Sequence, residues 1–383
     1  MNKAIVWVIV LLVILGGGWL LLSKNNGSAA PAAQSGPIKV GVILPLTGEG
    51  AAYGEPGRNL IQLGADKINA EGGVNGSQLQ LVIEDGKCNG KDAASAGQKL
   101  VSVDKVQVII GGFCSGESLA IEPITTAAKV LLFSPGSSNP GLTGISQFFA
   151  RNYPSDSAQG VVLATVANEK GVKKMAVLQE QTDYSVGLFK SFDAKFTELG
   201  GTSIKEEFAS GQSDLRSSLN KLKAAKPDAL FVIVQTPASA ERIFKQMSDI
   251  GWKPAMYISD VVPGFPDVLS KYKNLLEGAI AAEFTADANN AKLQEMLTAY
   301  KAKYGSEPPL LSYAQTEYDS IFIVADGLRA VGDNGEKLAQ WIHTSVKDWA
   351  GAAGSVTIGS NGDPTTGHRP EVIHDGKVAP YTK

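Results

Sequence analysis

Residues Gln107 to Thr143 form the stretch best suited to hold a small charged molecule. An apolar run, QVIIGG, leads into a short polar turn with Cys114 and Ser115. A helical segment follows, then a second apolar run ending in Ser134-Pro-Gly-Ser-Ser. Two strand ends therefore offer hydroxyls and backbone N–H groups, and one of them opens directly into a helix. The unpaired N–H donors and partial positive charge at a helix N-terminus suit a carboxylate or a similar small anion. No base stands beside Cys114 or Ser115, so the turn is not built for nucleophilic catalysis. Far along the chain, Asp260 ends the run AMYIS and precedes Val261-Val262-Pro263-Gly264. A carboxylate at the carboxyl end of a parallel strand lies where α/β sheets bind ligands. Asp260 is thus either a turn-former or the counter-charge for an ammonium group. Tyr53 and Tyr184 occupy equivalent places after the first strand of two similar segments. They read as rim aromatics able to close over a guest, or as packing at helix ends.

Other motifs fall short of the chemistry they suggest. Gly48-Glu-Gly50-Ala-Ala-Tyr-Gly54 follows a strand and precedes a helix, but it is one residue too long for a dinucleotide loop. The acid expected about 20 residues further on is missing. The loop reads instead as a flexible rim that presents Tyr53. Gly86-Lys87 and Gly90-Lys91 lack the remaining parts of a phosphate loop, and Gly-Phe-Cys114-Ser115-Gly is not the G-x-S-x-G elbow. The three histidines are His343, His368 and His374. The last two could bind a metal in principle, yet no carboxylate framework surrounds them at ligand spacing, and they read as surface histidines. No enzyme activity, metal or cofactor is expected.

The elements that must position these residues follow from the wider sequence. The chain has 383 residues, 44% of them hydrophobic, enough for two or three domains. A net charge of −3, with Lys and Arg scattered, gives no basic face for nucleic acid. Residues 1–23 contain an unbroken apolar run, Ala4–Leu22, close to the length that crosses a bilayer. Its length favours an uncleaved membrane anchor over a shorter secretory segment, while Ala30-Pro31-Ala32 has the small-x-small form of a cleavage site. Either reading sends the rest of the chain out of the cytoplasm. Residues 24–37, rich in Ser, Asn, Gly, Ala, Pro and Gln, read as a flexible tether. Cys88 and Cys114, the two cysteines, each follow an apolar run that reads as a strand. Neighbouring parallel strands would bring those ends together in an oxidising compartment, so a disulfide is expected over two free thiols. A metal pair lacks a nearby histidine.

From Ile38 the pattern alternates strand and helix. Strands read at Ile38–Leu44, Leu79–Glu84, Val106–Ile110 and Val130–Phe133, then again at Lys174–Gln179, Ser203–Phe208, Ala229–Val234 and Ala255–Ile258. Helices read near Gly54–Ala70, Asp92–Val103 and Glu117–Ala128 in the first run. In the second they read near Tyr184–Leu199, Leu215–Ala224 and Ala238–Ile250. Apolar strands alternating with amphipathic helices indicate α/β lobes with parallel sheets covered on both faces. The remainder has a strand at Ala279–Phe284 and helices near Ala291–Tyr304, Tyr313–Val331 and Glu336–Thr344. Short strands at Ser355–Ile358, Glu371–His374 and Lys377–Tyr381 close it. It is too small for a third sheet domain and must complete the first two lobes, so the chain crosses between them more than once.

These residues resemble a known family. IKVGVILPLTG, YGEPGRNLIQLGADKINAEGGVNG, QLQLVIEDGKC, VIIGGFCSG, LLFSPGSSNPGLT, TDYSVG and PPLLSYAQTEYDSI are similar to segments of the periplasmic leucine/isoleucine/valine-binding proteins. Those are type I solute-binding proteins that feed branched-chain amino acid ABC transporters. The resemblance runs from Ile38 to about Tyr381. It implies the type I periplasmic-binding-protein fold, two Rossmann-like lobes joined by three crossover strands. Lobe one would comprise 38–155 plus 285–353, and lobe two 156–284 plus 354–383. By that likeness Cys88 and Cys114 form the family's lobe-one disulfide, Ser115 holds the ligand carboxylate, and Gly136 and Ser138 contact the ligand. Tyr53 and Tyr184 are rim aromatics, and Asp260 pairs with the α-ammonium group. Asp260 is shorter than the glutamate often found there, and Tyr313 adds a hydroxyl where a phenylalanine is expected in the side-chain pocket. The implied function is extracytoplasmic capture of an amino acid by a monomer and delivery to transporter permease subunits. The alternatives are a binder of an amide, urea or aromatic acid, or a sensory ectodomain.

Overall fold

The computed structural model describes residues 36–383. The apolar run Ala4–Leu22, the small-x-small site and nearly all of the tether lie outside the described residues. Strand β1 (Ile38–Leu44) is apolar on both faces, and six of its seven residues are buried. Such a strand belongs inside a parallel sheet covered on both sides. It lies between β2 (Leu79–Asp85) and β3 (Val108–Ile110), with Val42 in register with Ile83 and Ile110. With β4 (Leu131–Ser134) and β5 (Phe149–Arg151) the first sheet runs β2-β1-β3-β4-β5, every pairing parallel. Helices α1 (Ala51–Ala70), α2 (Gly90–Lys99) and α3 (Ser115–Ala128) make its crossovers. The helix expected to run on to Val103 instead passes into a π-helical turn, Leu100–Asp104, which Lys105 closes in a left-handed conformation at φ 61°.

After β5 the chain leaves the first sheet through α4 (Asp156–Glu169) and builds a second one. Its strands β6 (Lys174–Glu180), β7 (Thr202–Phe208), β8 (Ala229–Ile233), β9 (Ala255–Ile258) and β10 (Ile280–Glu283) are parallel, in the order β7-β6-β8-β9-β10. Helices α5 (Asp183–Glu198), α6 (Arg216–Ala224) and α7 (Pro237–Asp249) connect them. The chain then returns to the first half. Helices α8 (Ala291–Tyr304) and α9 (Leu311–Val331) pack on α1, and α10 (Gly335–Ser345) packs on β4 and β5. A hairpin of β11 (Trp349–Gly351) and β12 (Gly354–Val356) lies outside both sheets. Finally β13 (Arg369–His374) and β14 (Lys377–Pro380) extend the second sheet antiparallel beyond β10.

Among the elements that the sequence did not signal are β5 and α4. The three residues of β5 stand between a turn-rich segment and Pro154. Helix α4 lacks a single apolar stripe: its buried residues include Asp156, Gln159 and Gly160 beside Leu163, Ala164, Val166 and Ala167. It packs so closely on α5 that a Cβ at Gly160 would stand 2.5 Å from the backbone nitrogen of Phe192. A helix buried on several sides loses the periodicity by which it would be recognised. Among the described residues no helix is long and apolar enough to cross a membrane.

Candidate functional site

The polar turns at the ends of β3 and β4 are held by buried hydrogen bonds. Ser134 Oγ and Ser137 Oγ both donate to the carbonyl of Gly112 at 2.8 Å. The fully buried Arg151 donates from Nη1 to the carbonyls of Ser137 and Asn139, each at 3.0 Å, and from Nη2 to Thr143 Oγ1. Its Nε meets Asp363 Oδ1 at 2.7 Å. A guanidinium can be buried only when its donors are satisfied in this way. Arg151 thereby fixes the loop that carries Gly136 and Ser138. The neighbouring loop is fixed by a disulfide between Cys88 and Cys114, whose Cα atoms are 5.2 Å apart. Glu117 accepts the backbone N–H groups of Cys88 and Cys114 at 2.9 Å each. Burial nonetheless pushes its carboxyl up to about 7.

Between the two sheets' carboxyl ends lies a narrow cavity of about 20 Å³. Six of the seven residues singled out for binding in the sequence line it: Tyr53, Ser115, Gly136, Ser138, Tyr184 and Tyr313. Phe113, Cys114, Gln235 and Val261 complete its wall. On the side of the first sheet, Ser115 opens α3 and its Oγ accepts from the backbone N–H of Asn139 at 3.2 Å, so its own proton remains free to donate. Ser138 Oγ donates to Asp156 Oδ2 at 2.8 Å. Burial, reinforced by the charge of Asp260, holds the Asp156 carboxyl well above the usual carboxylate range.

The opposite pole is made of phenols around one carboxylate. Asp260 is fully buried and stands just behind the cavity wall. Tyr184 donates to its Oδ1 at 2.5 Å, while Tyr153 and Tyr313 donate to Oδ2 at 2.7 and 2.9 Å. Burial first, and then the charge of Asp260, raise all three phenols well above their ordinary value, so they remain donors. Tyr53 stacks on Phe113 at 5.0 Å, meets Tyr313 edge-on at 6.1 Å and donates to the carbonyl of Gln235 at 2.7 Å.

Tyr153, Phe113, Gln235 and Asp156 escaped the sequence reading. For Tyr153 the one signal was its place just before the Pro-Ser cap that opens α4. One expectation is corrected: His368 is not a surface residue. It is buried against Tyr153, with ring centroids 6.0 Å apart, and burial pushes its imidazole down to about 4. His374 is exposed and bonds Glu277 at 2.7 Å. Among the described residues no group of three or more His, Cys, Asp or Glu side chains is arranged to hold a metal ion.

The same architecture recurs in known proteins. Residues 37–373 match the model of the periplasmic binding protein family. Leu/Ile/Val-binding protein homolog 2 of Brucella abortus is 29% identical over 334 residues, covering 86% of this chain and 88% of that protein. The crystal structure of the leucine binding protein LivK from Thermotoga maritima is 30% identical with a TM-score of 0.81, covering 90% of this chain and 98% of that one. LivJ from Streptococcus pneumoniae, solved in complex with isoleucine, is 27% identical with a TM-score of 0.79, covering 89% of this chain and 97% of that one. On the match across nearly all its described residues, the chain belongs to the periplasmic binding protein family of extracytoplasmic solute-binding proteins, with the leucine/isoleucine/valine-binding proteins among its relatives.

Proposed function

We propose that this chain captures an amino acid of branched-chain-like size between two hinged lobes and delivers it to the permease subunits of an ABC transporter, without transforming it. The observation that carries this reading is the polarity of the cavity. Hydroxyls and a helix N-terminus stand at one pole, and a buried carboxylate ringed by phenols stands at the other. The guest's carboxylate meets Ser115, Gly136 and Ser138. Its ammonium group meets the phenol oxygens of Tyr184 and Tyr313, with Asp260 supplying the counter-charge. A phenol that donates to a carboxylate is a better acceptor for a third group, so the charge is felt through the hydroxyl. Phe113, Tyr53 and Val261 enclose the side chain.

The lobes we propose are residues 38–155 with 285–353, and residues 156–284 with 354–383, pivoting about the three crossings. A guest that touches both lobes shifts the equilibrium toward closure by its differential affinity, and the closed form is what a permease would recognise. We read Ala4–Leu22 as the segment that tethers a monomer to the outer face of the membrane. The test is calorimetry with the twenty amino acids, small amides and urea. An amino acid should bind, and Asp260→Ala should weaken it ten-fold or more, since a charge-assisted hydrogen bond contributes about 1.5–3 kcal/mol. Unchanged affinity would remove the ammonium role.

A further inference from the structure

Two of the three phenols on Asp260 wall the cavity, whereas Tyr153 stands behind them. Tyr153 has no exposed surface and lies two residues beyond β5, in the segment where the chain first crosses between the sheets. Its ring stacks on Tyr313 at 4.5 Å and 9°, and meets Phe284 and His368 edge-on at 5.9 and 6.0 Å. Rings on three sides fix the orientation of its own, which directs the hydroxyl to Asp260 Oδ2, the oxygen that Tyr313 also reaches.

We propose that Tyr153 is a positioning residue for the ammonium pole: together with Tyr313 it pins Asp260 Oδ2, so that the carboxylate stays aimed at the phenols of Tyr184 and Tyr313, whose oxygens a guest's ammonium group encounters. This deepens the reading of amino-acid capture and rests on it. A carboxylate offers about four acceptor sites, and the three phenols occupy three of them. A carboxylate already clamped in its binding orientation loses little freedom when the ligand arrives, and a cleft gains affinity largely by avoiding that loss. Asp156, Glu283 and His368 are further buried titratable groups near Asp260. Burial keeps Asp156 and Glu283 well above the usual carboxylate range, and the His368 imidazole is pushed down to about 4.

The experiment compares wild type with Tyr153→Phe, which keeps the ring and its stack and removes only the hydroxyl. Calorimetry measures leucine, or whichever of the twenty amino acids binds tightest, against the same molecule with hydrogen in place of the ammonium group. The preference for the amino acid over its deaminated analogue is expected to fall about ten-fold in the variant, the scale of one charge-assisted hydrogen bond, with affinity for the analogue unchanged. Equal weakening of both ligands would mean that the hydroxyl only supports packing, and an unchanged preference would mean that it does nothing for the ammonium group. Either outcome overturns the proposal while leaving amino-acid capture intact. A wild-type chain without any preference for the amino acid would instead overturn the reading of the site, and this proposal with it.

Discussion

Gly136 illustrates how little slack the binding wall has. A Cβ there would stand 2.6 Å from two ring carbons of Phe113, which in turn packs on Tyr53 and Tyr313 at 5.0 and 5.2 Å. Gly136→Ala must therefore push an aromatic ring toward the cavity. Amino acid affinity is expected to drop ten-fold or more while the melting temperature moves by only a few degrees, as calorimetry and circular dichroism would report. The residues that could be identified from sequence sit at strand ends in turn-forming contexts. Ser115 follows QVIIGG, Gly136 and Ser138 follow LLFS, and Asp260 follows AMYIS. Tyr153 could not be assigned a role in that way, because its role depends on a stack with Tyr313, 160 residues away in sequence, and on an acid from a third segment.

At the scale of elements, the legible strands were those covered on both faces, such as β8 and, apart from Lys39, β1, whose apolar runs have no other use in a chain of this kind. The short β5 and the many-sided α4 lacked that signature. Helices α3 and α9 carry buried acids that tie stability to pH. Burial pushes Glu117 and Asp319 up to about 7, against the backbone N–H groups that each accepts. A carboxyl raised in the folded state stabilises the fold fully below its ordinary value and stops doing so as pH rises through the raised one. His368 acts in the opposite sense, but its contribution is complete above about 6.5. Two carboxyls outweigh the single imidazole, so the melting temperature should fall between about pH 4.5 and 7, and less steeply in Asp319→Asn. A flat profile in wild type over that range would contradict the burial argument.

At the scale of the molecule, a few bonds join the side of the first sheet to that of the second. Tyr313 reaches Asp260, and Tyr53 on α1 reaches the carbonyl beyond β8. Glu49 pairs with Arg242 at 3.2 Å at the surface, where such a pair contributes little. Tyr53→Phe removes one of these latches without removing the ring. If the lobes pivot as proposed, ligand affinity should weaken about two- to ten-fold, and small-angle scattering should report a larger radius of gyration before ligand is added. The alternation of strands and helices made two sheets readable from the sequence. The points where the chain changes sheets carry no compositional mark, and only the family resemblance anticipated three of them. That interleaving also dictates an order of assembly. During synthesis every strand of the first sheet emerges before any strand of the second, yet β13 and β14 emerge only after α9 and α10. The far edge of the second sheet is therefore left bare for the longest time, and a chaperone or export factor guarding the nascent chain would have most to protect at β10.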